Sequence, residues 1–166
     1  NNFFHNLLIY IDIFIYCKSK KYFFNTYNQL IKMKLPKVFY FKKFTKISGK
    51  LLPITFNKKF PIKVKRIFFI YGKKKYKRGD HAHKKCSQVF FPIIGKIKIN
   101  MKYKQTKKSV FLSHNFSKAL LVPPRIWSSV EFLNNNSLAL VLTDHEYDYK
   151  DYIETYKKFI AFQKKK

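Results

Sequence analysis

From Val38 to Thr143 the chain is a succession of short runs of β-branched and aromatic residues, each closed by a turn signal. The runs are 38–41, 51–56, 64–71, 88–91, 96–103, 109–112, 119–122 and 138–143. Between them lie Ser48-Gly49, Lys58-Lys59-Phe60-Pro61, the basic loop 72–80, Pro92, Gly95, Pro123-Pro124 and Asn134-Asn135-Asn136. Strands recurring every roughly 8–12 residues with turn signals between them specify an all-β sandwich or barrel. A 3.6-residue recurrence emerges only from about Asp148, where Tyr149, Tyr152, Ile153, Tyr156 and Phe159 predict a short C-terminal helix.

The chain has 166 residues, and hydrophobic residues make up 46% of it, enough for one domain with a real core and too apolar for a disordered basic tail. Its formal charge of +28 points first toward nucleic acid or anionic lipid. Composition weakens that inference. Lys, Asn, Phe, Ile and Tyr supply 92 residues, whereas Gly, Ala, Arg and Pro supply 17, the signature of an A/T-rich coding sequence that enriches Lys without selection for phosphate. The three arginines, Arg66, Arg78 and Arg125, and the single Trp127 are therefore more informative than any Lys. Two cysteines, Cys17 and Cys86, make neither a disulfide scaffold nor a four-thiolate zinc site, so a cytoplasmic protein is expected.

Residues 3–16 are almost all apolar, but Asp12 interrupts them and the run is shorter than the roughly 18–20 residues a membrane span needs. The basic cluster Lys18, Lys20, Lys21 follows the run, the reverse of a signal peptide. The first methionine is Met33, so 1–32 is expected to be an upstream leader and 33–166 the folded domain; an apolar N-terminal arm is the alternative.

The sharpest local signal is Arg78-Gly79-Asp80-His81-Ala82-His83-Lys84-Lys85-Cys86-Ser87-Gln88, followed by Gly95. Two histidines at i and i+2 on a strand share a face, so both imidazoles are expected in one pocket. The spacing resembles the first cupin motif, with Gln88 where that motif has an acid. Pro123-Pro124-Arg125-Ile126-Trp127-Ser128 resembles the second, with Ser128 where a metal-binding His would stand. That resemblance implies an all-β cupin jelly-roll barrel with the short C-terminal helix appended. His81 and His83 are the only good transition-metal ligands in the set, so no metal and no cofactor is expected. Two unliganded imidazoles with ordinary pKa values near 6.5 suit proton transfer instead.

From Lys46 to Phe162 the chain resembles the sugar-nucleotide 3,4-ketoisomerases. The residues that carry the likeness are Gly49-Lys50-Leu51-Leu52-Pro53-Ile54, Phe60-Pro61, Val64-Lys65-Arg66, Arg78-Gly79, His81-Ala82-His83-Lys84, Gln88 and Gly95. They continue through Pro123-Pro124, Trp127, Phe132, the stretch 147–153, Tyr156 and Phe159. The resemblance implies conversion of a dTDP-4-keto-6-deoxyhexose to its 3-keto isomer, in deoxyaminosugar and surface-polysaccharide synthesis; a homodimer is expected from the open edges of the sheets. His81 and His83 are then the acid and base pair, in either order. Arg66 is a candidate for a phosphate or the enediolate oxygen, Arg78, Lys84 and Arg125 for the diphosphate, and Tyr71, Gln88 and Trp127 for the remaining substrate contacts. Family members commonly have Tyr where Phe68 and Phe69 stand, and Tyr71, on the face of Phe69, is the candidate replacement.

Cys86 reads as a small buried hydrophobe, and His114 and His145 as surface residues. Five of the eight acids fall within 144–154 and are expected to complement a basic surface. Three rival classes are a catalytically silent cupin that only holds a sugar nucleotide, a basic nucleic-acid binder, and a metal-dependent cupin oxygenase. The nucleic-acid class has charge but no recognised motif, and neither nucleic acid nor membrane is expected as a partner.

Overall fold

Alternation along the strand runs decides how the chain is layered. The computed structural model describes residues 34–115 and 117–164; the leader 1–32, with Cys17, lies outside them. Twelve strands follow in chain order: β1 Lys37–Tyr40, β2 Phe44–Lys46, β3 Gly49–Leu51, β4 Arg66–Gly72, β5 Lys77–His83, β6 Gln88–Ile94, β7 Lys96–Tyr103, β8 Thr106–Ser113, β9 Lys118–Val122, β10 Trp127–Phe132, β11 Ser137–Thr143 and β12 Tyr152–Ile153. A single helix, α1 Tyr156–Lys164, follows them among the described residues.

Ten of these strands build two five-stranded sheets, ordered β1-β9-β6-β11-β4 and β12-β5-β10-β7-β8. Every pairing is antiparallel. This is the jelly-roll arrangement that the strand spacing and the cupin resemblance called for. Directly opposed residues share a sheet face. In the second sheet β7 alternates strictly, burying Ile97, Ile99, Met101 and Tyr103, and the pairs Ile99↔Val130 and Met101↔Ser128 carry that inner face onto β10. In the first sheet Phe68, Val141, Phe90 and Leu120 form one row across four strands. Its other face carries Val89, Phe91, Ala119 and Leu142, covered by Phe41, Ile54, Phe60, Ile62 and Val64 from the segment before β4.

Two expectations are corrected. The run 51–56 reads as a strand, but only Leu51 is paired; Pro53 has no N–H to donate and Ile54 is drawn onto the first sheet's covered face. The C-terminal helix begins at Tyr156, not near Asp148. The Asp148 carboxylate accepts a hydrogen bond from the Lys150 N–H and caps a 3-10 turn over Tyr149–Asp151, after which Tyr152 and Ile153 pair with His83 and Ala82. Helical spacing of the aromatics arises because both the strand and the helix press apolar residues onto one cluster, in which Phe159 and Ile153 bury Ala82 and Trp127. Pro92 lies inside β6, beyond Phe90 where the pairing with β9 has ended.

Candidate active site

The two sheets enclose a cavity of about 410 Å3, within the range of small-molecule sites. Phe68, Ile70 and Phe90 from the first sheet face Arg78, His81, Ser128 and Val130 from the second, with Gln88 and Tyr152 completing the wall. The walls are mainly apolar, so each polar group inside acts in a low dielectric.

Strand β5 owes the aim of its histidines to a bulge. Opposite β10, His81 pairs with Ser128 and Gly79 with Ser129, leaving Asp80 as the extra residue at φ 55. Gly79 sits at φ 92, and a Cβ there would lie 3.1 Å from the Ser128 carbonyl oxygen. Glycine is required at that position. Gly79→Ala is expected to cost about 1–3 kcal/mol, read as a lowered melting temperature.

Beyond the bulge the two imidazoles meet. His81 Nε2 and His83 Nε2 are 3.2 Å apart, with ring planes at 82°. His83 is only 5% exposed and lies behind His81, which faces the cavity. The Tyr152 ring packs against both, its centroid 4.9 Å from His81 and 4.4 Å from His83. His83 Nδ1 is 2.9 Å from Asp151 Oδ2. The same carboxylate accepts hydrogen bonds from the Lys85 and Cys86 backbone N–H groups. A chain Asp151–His83–His81 therefore runs from the back wall to the cavity.

The charge states follow from this packing. Burial lowers the pKa of His83 below its ordinary value, and the neighbouring His81 lowers it further, against the opposing hydrogen bond to Asp151. Burial likewise lowers His81, partly offset by its hydrogen bond to the Gly79 backbone. Burial pushes the Asp151 carboxyl up, but the hydrogen bonds from His83 and from Lys85 outweigh it and hold the group below its usual range. At neutral pH the arrangement is an ionised Asp151 beside two neutral imidazoles. Since Asp151 accepts only, His83 Nδ1 carries the hydrogen and its Nε2 presents a lone pair.

Asp151 carries no separate signal in the sequence, where the acids of 144–154 are expected to complement a basic surface. They serve other partners. Asp144 accepts from the Ser87 N–H at 2.7 Å and pairs with His145 at 2.8 Å, and Glu154 accepts from the Tyr149 hydroxyl. His145, expected as a surface residue, pairs with Asp144. Lys98 and Glu131 form an ion pair at 3.9 Å. The signal that could have found Asp151 is the Asp148-x-Lys150 cap, which stops a helix from starting before β12.

The other expected substrate contacts separate into two groups. Gln88, Arg78 and Tyr71 line the cavity, Tyr71 at its margin and largely exposed. Phe68 points inward whereas Phe69 and Tyr71 lie on the opposite face of β4, where they are exposed. Arg66 faces inward with Phe68; its guanidinium lies over the Phe68 and Tyr147 rings, and its buried Nε has no hydrogen-bond partner. Arg66, Lys84, Arg125 and Trp127 are not among the lining residues. Lys84 donates to the Lys150 carbonyl, and its backbone N–H donates to the Asp151 carbonyl, tying β5 to the turn that carries Asp151. The Arg125 guanidinium stacks on Phe162, and Trp127 is buried against Tyr156 and Phe159. Cys86 is buried ahead of β6, and burial pushes its thiol up to about 12. Its sulfur lies within 4.8 Å of ligand atoms of His83 and Asp151, and of Asp144 and His145.

Residues 34–164 match the family described as FdtA, WxcM-like, C-terminal. The chain belongs to that family. It is 33% identical over 129 residues to the TDP-4-oxo-6-deoxy-α-D-glucose-3,4-oxoisomerase of Aneurinibacillus thermoaerophilus, covering 75% of this chain and 92% of the relative. Among solved structures it is similar to a His-to-Asn variant of the 3,4-ketoisomerase QdtA from Thermoanaerobacterium thermosaccharolyticum in complex with TDP-4-keto-6-deoxyglucose. That match has a TM-score of 0.74 at 30% identity and covers 80% of this chain and 96% of the other. The TDP-fucose-3,4-ketoisomerase WlaRA of Campylobacter jejuni matches with a TM-score of 0.70 at 29% identity, covering 78% and 96%. Within this FdtA-family fold, the histidine pair and the cavity occupy the space between the two sheets. No helix among the described residues is long and apolar enough to cross a membrane.

Proposed function

We propose that this FdtA-family chain is a sugar-nucleotide 3,4-ketoisomerase that converts a dTDP-4-keto-6-deoxyhexose to its 3-keto isomer without a metal or cofactor. The observation that carries the reading is the Asp151–His83–His81 chain at an apolar cavity. Moving the carbonyl from C4 to C3 transfers one hydrogen from C3 to C4 and one from O3 to O4 through an enediol. The neutral histidine pair takes the C3 proton. The electron pair of that C–H bond forms the C3–C4 double bond, and O4 accepts the displaced carbonyl electrons and a proton. The proton taken by the pair rests on His83, where the ionised Asp151 faces it, and His81, 3.2 Å away, returns a proton to C4. The C3–C4 double-bond pair takes that proton, the O3–H electron pair forms the C3 carbonyl, and the O3 hydrogen passes to solvent water, which had supplied the proton taken up by O4.

Arg78 and Gln88 line the cavity as polar contacts for the substrate, and Phe68, Ile70 and Phe90 suit its 6-methyl side. Arg66, inward-facing with an unpartnered Nε, is the group suited to the enediolate oxygen. In this reading Lys84, Arg125 and Trp127 act by holding the fold around the pair. The enzyme works in the cytoplasm as a homodimer, supplying a 3-keto sugar for deoxyaminosugar synthesis, and neither nucleic acid nor membrane is a partner.

The test is incubation of the full chain with dTDP-4-keto-6-deoxyglucose in D2O, followed by proton NMR. Expected are a 3-keto species and deuterium at the exchanged carbon; an unchanged but bound substrate would instead leave a sugar-nucleotide binding module. The pH dependence has a definite sign. The pair must be unprotonated to accept a proton, and burial lowers both histidines from 6.5. Activity is therefore expected to persist as pH falls through 6.5 and to be lost below it, as the lowered pKa values are crossed. A pH profile of kcat/KM with its acidic limb above 6.5 would contradict that.

A further inference from the structure

Behind the histidine pair, a second set of ligating side chains converges that the proposed reaction does not use. Cys86, Asp144 and His145 each present one donor atom, a sulfur, a carboxylate oxygen and a ring nitrogen, and the three lie within 4.8 Å of one another. None of them lines the cavity. Sheet register brings them together: Thr143, the last residue of β11, pairs with Gln88, the first of β6, so the residues just past one strand meet those just before the other.

The three groups are also held in place. The Ser87 N–H donates to Asp144 Oδ1 at 2.7 Å, His145 Nδ1 lies 2.8 Å from the same oxygen, and the Thr143 hydroxyl donates to the His145 carbonyl at 2.8 Å. Burial pushes the Asp144 carboxyl up, but the hydrogen bonds from His145 and Ser87 outweigh it and keep the group ionised at neutral pH. Cys86 spends its S–H on one weak contact, to the Ser87 carbonyl at 3.4 Å. Access is from one side: the sulfur is buried, whereas the His145 side chain is 45% exposed and that of Asp144 23%. A second triad shares the sulfur, His83, Cys86 and Asp151, but its histidine and carboxylate are only 6% and 10% exposed, which shuts it off from solvent.

We infer that Cys86, Asp144 and His145 form a site for a thiophilic divalent cation of the Zn2+ class, and that filling it slows the isomerase. A sulfur, an imidazole and one carboxylate, with water in the fourth position, is a tetrahedral set that suits Zn2+ and does not suit Mg2+ or Ca2+, which take oxygen ligands. Zn–S bonds of about 2.3 Å and Zn–N or Zn–O bonds of about 2.0–2.2 Å put such donors about 3.3–3.8 Å apart. The triad therefore closes by roughly an ångström, a change that rotation of the exposed His145 side chain supplies. Binding breaks the Cys86 S–H bond, whose electron pair goes to the metal and whose proton passes to water. Burial keeps that thiol protonated when it stands alone, and a divalent cation is the partner that stabilises its anion there. The slowing comes from the other neighbours of the sulfur, since donor atoms of His83 and Asp151 also lie within 4.8 Å of it. The ion adds two positive charges and displaces one proton, so one net positive charge appears beside the pair that has to take up a proton. The slowing rests on the isomerase reading above; the site does not.

The experiment uses the full, untagged chain in a Cys17→Ser background, where Cys86 is the one remaining thiol. Co2+, the optical stand-in for Zn2+, is titrated into metal-free protein. A thiolate-to-cobalt absorption band is expected, saturating at one ion per chain and bleached by Zn2+ but not by excess Mg2+. Cys86→Ala should abolish the band. His145→Ala alters a half-exposed side chain and should keep the circular dichroism spectrum, yet weaken Co2+ by more than the about 10–100-fold that loss of an outer hydrogen-bond partner causes. Saturating Zn2+ should slow 3-keto sugar formation about tenfold or more in the Cys17→Ser chain, and leave the His145→Ala chain unaffected at the same concentration. No band at stoichiometric Co2+, a band indifferent to His145→Ala, or a band that survives His145→Ala and disappears in His83→Asn would overturn the site. Full turnover in Zn2+ with the site filled would overturn the slowing. If the natural chain shows no isomerase activity, the enzymatic reading falls and the cobalt band still decides the site.

Discussion

His83→Asn is expected to lower the rate of 3-keto sugar formation by about 10²–10⁴-fold, the usual contribution of a positioned acid or base. The substitution keeps a hydrogen-bonding group of similar reach toward Asp151 but removes a base that can hold a proton. It also leaves His81 without the neighbour that stands 3.2 Å from its Nε2. Binding of the dTDP-sugar is expected to change little, because His83 lies behind His81 and is not among the lining residues. The measurement is kcat and KM by NMR beside a calorimetric titration of substrate. Near-native turnover in this variant would place the base elsewhere and sink the proposed chain of proton transfer. The relative solved with a His-to-Asn change holds TDP-4-keto-6-deoxyglucose, the form of complex expected when binding survives the loss of a histidine.

The second large effect is expected at Asp151, which touches no cavity space and acts through His83. Asp151→Asn removes the ionised acceptor that fixes the His83 tautomer and faces its positive charge once a proton is taken. Turnover is expected to fall about 10²-fold or more, mainly in kcat. A purely structural role would also slow the enzyme, so the pH profile is the deciding readout. The hydrogen bond to Asp151 raises the His83 pKa against burial, and without the carboxylate that pKa falls further. The acidic limb of kcat should move to lower pH than in the natural protein. An unmoved or raised limb would show that Asp151 does not set the ionisation of His83. Two backbone N–H groups also lose a charged acceptor, so the variant should melt earlier, with a loss of about 1.5–3 kcal/mol for a charge-assisted bond.

How far the molecule could be read in advance depended on whether the cause was local. The run 96–103 was read with its final limits because alternation of Ile97, Ile99, Met101 and Tyr103 with polar residues fixes both its conformation and its buried face. Strand β10 gives no separate strand signal in the sequence. Its Trp127-Ser128-Ser129-Val130-Glu131-Phe132 sequence alternates weakly, since both serines are buried, Ser128 facing the cavity and Ser129 at the bulge. The extent of β5 was likewise hidden, because Lys77 to Asp80 are charged residues and a glycine that become a strand only by pairing with β10.

By itself the sequence determined the all-β layering and the common face of His81 and His83, because two-residue alternation is a property of the local chain; of the turn signals, Pro92 and residues 77–80 fall within strands. It also carried the family likeness in the His81-Ala82-His83-Lys84 segment. Only the tertiary structure decided that Asp151, 68 residues after His83, completes the proton chain. That outcome depends on a capped 3-10 turn delivering two residues to the free edge of β5, an edge that exists only once the second sheet has formed. The same holds for Trp127, Arg125 and Lys84. Their side-chain chemistry suits a ligand, but the ring, the helix and the carbonyl that take them up come from the C-terminal segment folding back. Burial then sets the charge states, since desolvation is a property of the assembled sheets and not of any residue along the chain.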